Sequence, residues 1–174
     1  YVFDTSEITL DKNYTCDDGF YAGGITISKQ ITIDGKGHTI SGLYGVSDTE
    51  MGLFTATANT TVIQNLKVTN SYFESSVNGL GAIAGGGLGT FKNIYAEAIL
   101  VGTGGDSAGA VGGIVGEAEA TKGTALTIEN CWSNCQINVD GKRVGGILGS
   151  GNASVVIVSI KHCLNTGTLT HTST

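Results

Sequence analysis

A glycine-flanked apolar box occurs four times in this chain, and that recurrence restricts the fold more than any other feature. It reads Met51-Gly52-Leu53-Phe54-Thr55, Gly81-Ala82-Ile83-Ala84-Gly85, Gly112-Gly113-Ile114-Val115-Gly116 and Gly145-Gly146-Ile147-Leu148-Gly149. The central residues Leu53, Ile83, Ile114 and Ile147 are about 30 positions apart each time. A second box follows each first one: Ile63-Gln64-Asn65-Leu66, Phe91-Lys92-Asn93-Ile94, Ile128-Glu129-Asn130-Cys131 and Ile160-Lys161-His162-Cys163. Each second box leads into a short alternating stretch such as Leu66-Lys67-Val68-Thr69, which has the period of a strand. No segment sustains a helical period with caps at both ends.

A period of this length built from short strands is the mark of a β-solenoid. One coil cannot bury its apolar side alone, whereas stacked coils bury it together. The expected fold is an all-β, right-handed parallel β-helix of about five to six coils. Residues 1–24 are read as an N-terminal cap with the first strands, and residues 25–174 as the coils of a single domain. Equivalent inward residues then form columns, Leu53/Ile83/Ile114/Ile147 in one and Leu66/Ile94/Cys131/Cys163 in another. The box glycines are expected where the chain must turn with φ > 0 or where neighbouring coils approach closely.

Composition agrees. The 174 residues include 28 glycines and no proline, as suits a backbone whose N–H groups sit in ladders. A net charge of −6 argues against nucleic acid as a partner, and no apolar run is long enough to cross a bilayer. The four cysteines, Cys16, Cys131, Cys135 and Cys163, fit no zinc spacing. Cys131 and Cys163 fall on adjacent coils, where in-register neighbours offer poor disulfide geometry, so thiols are expected.

The boxes, together with Asp34-Gly35-Lys36-Gly37-His38-Thr39-Ile40, resemble the GLUG motif of bacterial secreted and cell-surface proteins. The resemblance spans roughly residues 25 to 170. Thr55 stands where the motif closes on glycine, and His162 where it has asparagine. It implies an exported β-helix serving as a stalk, adhesin or spacer, and it does not imply an activity.

Candidate chemistry is sparse. Asp17, Asp18, Asp34, Asp48, Glu50, Glu74, Asp106, Glu117, Glu119, Glu129 and Asp140 are scattered and read as solvated, mostly turn, residues. Asp17-Asp18-Gly19 is the one segment with calcium-like character. His38, His162 and His171 have no nucleophile and orienting group set beside them by the repeat. The glycine boxes lack the Lys-Ser/Thr of a phosphate loop. Neither a catalytic centre nor a metal or cofactor is expected. Asn13, Asn59 and Asn152 head N-glycosylation sequons, and Asn59 and Asn152 fall at equivalent turns.

The leading expectation is therefore a non-catalytic extracellular structural or adhesive module. Its open ends would self-associate or meet adjacent domains. The alternative is a carbohydrate-binding or carbohydrate-cleaving β-helix, for which Tyr72, Phe73, Tyr95 and Trp132 are the nearby aromatics. Ice binding is a weaker third reading, because Thr-x-Thr pairs do not recur in every coil.

Overall fold

The computed structural model describes residues 7–16, 25–76, 79–105, 109–118, 124–140, 143–151 and 156–171. Among these, every regular element is a strand, and all strand pairs are parallel. The chain is a β-solenoid of about four turns, slightly fewer than the five to six expected from the repeat. The difference has a structural reason. One wall, made by Leu80–Gly81, Ala110–Gly112 and Arg143–Gly145 with Met51 bridged to Leu80, has four levels.

The deepest wall stacks Glu7–Thr9, Thr32–Asp34, Val62–Ser75, Gly89–Gly102, Thr124–Glu129 and Val156–Lys161 in order. A second sheet stacks Thr26–Ile27, Phe54–Thr57, Ala84–Gly86, Val115–Ala118 and Leu148–Gly151. Register follows the repeat: Phe54, Ala84, Val115 and Leu148 are successive partners, one position beyond the column Leu53/Ile83/Ile114/Ile147. Backbone bonds link that column directly, with Ile83 N–H donating to Ile114 and Ile114 N–H donating to Ile147. The second column is in register too, since Leu66 pairs with Ile94 and flanking pairs carry the alignment on to Cys131 and Cys163. Ile83, Ile114, Leu66, Ile94 and Cys131 are buried in one continuous core.

Of the two roles expected for the first glycine of the box, only one is met. None of Gly81, Gly112 and Gly145 has positive φ. Instead, a Cβ on any of them would collide with the carbonyl oxygen three residues later, of Ala84, Val115 and Leu148 respectively. Close backbone approach, not left-handed φ, is what the box demands. The left-handed corner lies in the second box, where Asn65, Asn93, Asn130 and His162 all have φ of 52–54°. Asparagine tolerates this region better than other side chains with a Cβ.

Candidate functional site

The asparagine corner is built as a ladder of side chains. Asn65 Nδ2 donates to Asp34 Oδ1 at 3.0 Å, Asn93 Nδ2 to Asn65 Oδ1 at 2.9 Å, and Asn130 Nδ2 to Asn93 Oδ1 at 3.3 Å. Asp34 closes the N-terminal end. Its carboxylate accepts from Lys36 N–H at 2.8 Å and from Gln64 Nε2 at 3.0 Å, and Lys36 Nζ lies 3.5 Å away. The Lys36 backbone N–H, with the Asn65 and Gln64 amides, holds the Asp34 carboxyl down to about 2.

Two positions beyond each asparagine the side chain points outward again, because strand residues alternate. Lys67, Tyr95 and Trp132 are therefore register neighbours on successive levels, separated by about 4.8 Å along the stack. Tyr95 and Trp132 meet edge to face with centroids 5.0 Å apart. Trp132 is 46% exposed. Its indole N–H donates to Thr166 Oγ1 at 2.7 Å, and that hydroxyl donates to Asn134 Oδ1 at 3.0 Å. Tyr95 donates its hydroxyl to Glu97 Oε2 at 2.7 Å, which raises the phenol above its usual range.

Between the asparagine ladder and this outward row runs an open groove of about 660 Å³. Asn65, Asn93 and Asn130 form one side, Lys67, Tyr95 and Trp132 the other, and Lys36 stands at one end. Two lysines and no carboxylate line it, in a chain with 15 acidic and 9 basic residues. Sequence reasoning missed this groove as a unit. Its signal was present in the Asn-x-Lys/Tyr/Trp recurrence at 65–67, 93–95 and 130–132.

The other aromatics separate. Phe73 is fully buried in the core, and Tyr72 stacks on Tyr44 at 5.3 Å away from the groove. The carboxylates do not gather: among the described residues no group of three or more His, Cys, Asp or Glu could hold a metal ion. Several acids lie in or at the ends of strands rather than in turns, and Asp34 is buried at the end of its strand rather than solvated. Glu74 accepts from Tyr72 Oη at 2.5 Å, Glu117 pairs with Arg143 at 3.4 Å, and Glu129 pairs with Lys92 at 3.9 Å. Asp17, Asp18, Asp106 and Glu119 fall outside the described residues, and so does the calcium-like segment.

Asn13 and Asn59 are exposed, and their Oδ1 atoms accept from Thr39 N–H and Ala125 N–H, both at 2.9 Å. Asn152 lies outside the described residues. All four cysteines are thiols. Burial pushes the Cys131 thiol up to about 12 and the Cys135 thiol up to about 11.

The C-terminal coil forms the second notable surface. Ile128 is fully buried, whereas its register partner Ile160 is 45% exposed. Ile137 is fully buried, whereas its partner Leu169 is 43% exposed. These are core positions over which no further strand is stacked among the described residues.

Comparison with known proteins gives no match: no family model, no curated protein and no solved structure matches the chain. No helix of the described residues is long and apolar enough to cross a membrane.

Proposed function

We propose that this chain is a non-catalytic structural module of an extracellular or cell-surface protein, a rigid axial element that joins a second copy end to end. The observation that carries the reading is the pair of exposed core positions on the last described coil, Ile160 and Leu169. Each repeats a side chain that is completely covered one level below. Their strands also present an open edge, which is a template for further parallel pairing. The N-terminal coil offers a complementary surface. Among the described residues, Glu7–Thr9 and Thr26–Ile27 are the outermost strands of their sheets, and Ile25 is exposed. A head-to-tail contact of this kind does not close and gives a fibre. The GLUG-like boxes support placing the module outside the cell, and there Asn13 and Asn59 would carry glycan wherever the host glycosylates. Intact-mass measurement of native material tests that last point.

Sedimentation velocity of the whole chain over a wide concentration range, with electron microscopy of the same samples, tests end-to-end joining. The expected result is concentration-dependent growth into rods of one width. The double variant Ile160→Lys and Leu169→Lys should stay monomeric with an unchanged β-type circular dichroism spectrum. A wild-type chain that sediments as a monomer at every concentration contradicts the reading.

A further inference from the structure

We propose that the groove between the asparagine ladder and the Lys67–Tyr95–Trp132 row is a binding site for an acidic saccharide chain. This is independent of the end-to-end joining above, because the groove lies on the side of the solenoid and Ile160 and Leu169 do not line it.

Four observations carry it. The groove is an open surface trough of about 660 Å³, suited to a chain that lies along it rather than to a ligand it would enclose. Its aromatic wall is preorganised. The polar atom of each ring is already tied, Trp132 Nε1 to Thr166 and Tyr95 Oη to Glu97, so both rings are fixed before a ligand arrives. Set at 72° to each other, they offer one apolar ring face, suited to the C–H face of a pyranose, beside the edge of the other ring. Opposite them, primary amides stand at three successive levels of the stack, Asn65, Asn93 and Asn130. An amide both donates and accepts, and each ladder bond uses only part of that capacity, so hydroxyl groups at regular intervals can be met.

The charge selects among saccharides. Lys67 follows Tyr95 and Trp132 in the outward row, and no ion-pair partner for it is found among the described residues. Lys36 lies beyond it but is ion-paired with Asp34 at 3.5 Å, so the positive charge offered to a ligand is chiefly that of Lys67; no acid lines the groove. A carboxylate or sulfate on the sugar chain would meet Lys67 while a neighbouring ring lies against Tyr95 and Trp132. Single-stranded nucleic acid also uses cations and aromatic platforms. The chain's net charge of −6 disfavours a polyphosphate backbone, and the amide ladder has more use for sugar hydroxyls than for bases.

Trp132 is the only tryptophan in the chain, so its fluorescence reports this groove alone. The test titrates the whole chain with a hyaluronan hexasaccharide, with neutral chitohexaose and with single-stranded oligothymidylate. The expected result is a saturable change in emission with hyaluronan, and binding about tenfold weaker with chitohexaose. Lys67→Ala should weaken hyaluronan binding by a similar factor and leave chitohexaose binding unchanged, a pattern that misfolding cannot produce. Tyr95→Leu should weaken both sugars. The proposal is overturned by any of three outcomes: no saturable response to hyaluronan up to about 1 mM, indifference of hyaluronan binding to Lys67→Ala, or oligothymidylate binding as tight as the sugar.

Discussion

Asn93 donates its side-chain amide to Asn65 Oδ1 one coil below, and both residues hold a backbone φ of 54°. One residue type thus meets two demands of the same corner. It tolerates the left-handed backbone, and it bonds to its own equivalent along the stack.

Asn93→Ala should therefore lose both contributions, destabilising the chain by about 1–3 kcal/mol. Asn93→Gly keeps the backbone freedom and should cost about 1 kcal/mol less than the alanine variant. His162 occupies the next rung with the same left-handed φ. His162→Asn should extend the ladder and stabilise by about 0.5–1.5 kcal/mol. Urea denaturation of the three variants checks the order; equal losses for Asn93→Ala and Asn93→Gly would remove the left-handed backbone from the explanation.

Asp34 makes the N-terminal end of the ladder pH-sensitive. Its carboxyl is held at about 2 in the fold against an ordinary 3.8, chiefly by the Lys36 backbone N–H. As pH falls, the unfolded chain takes up the proton first. The stabilisation is complete above 3.8 and is lost as pH drops towards about 2. Thermal melts of wild type and Asp34→Asn should differ most above that window and converge below it. A gap that stays constant across the window would contradict the assignment.

The core column gives an internal comparison. Ile114 is fully buried, and Ile114→Ala should cost about 2–5 kcal/mol. Ile147 occupies the same column on the last coil and is only half-buried, so Ile147→Ala should cost clearly less. Denaturant midpoints of the two variants read the difference.

Cys131 and Cys135 should be inert in the folded chain, because burial holds both thiols far above neutral pH. A thiol-specific colorimetric reagent at mildly alkaline pH should label them only as fast as the chain unfolds. Cys16 and Cys163, both half-buried, should react sooner. Rapid labelling of all four thiols would contradict the packing of the second column.

Most of the architecture was legible in the sequence because the repeat places chemically similar residues at one point of the coil. Leu53, Ile83, Ile114 and Ile147 could be aligned by eye, and they stack in that order. What the repeat did not disclose was which residue performs which local task. The box glycines were expected to supply left-handed turns as well as close approach, yet Gly81, Gly112 and Gly145 have no positive φ, and the recurring left-handed corner falls instead on Asn65, Asn93, Asn130 and His162. Propensity points to glycine for positive φ, while only the stacked geometry reveals that asparagine also gains a bond to the next coil. The groove was hidden for a related reason. Lys67, Tyr95 and Trp132 share a repeat position but no chemistry, so alignment by similarity passes over them. The number of turns was overestimated because, among the described residues, the N-terminal segment supplies short strands to some walls and none to the wall whose first described member is Met51.

The stacking itself is tested most directly by methyl NOE spectroscopy on isoleucine-labelled protein. Ile83 should show cross-peaks to Ile114, and Ile114 to Ile147, with none between Ile83 and Ile147, which lie two levels apart. Absence of both neighbour cross-peaks, or a direct one between Ile83 and Ile147, would contradict the solenoid.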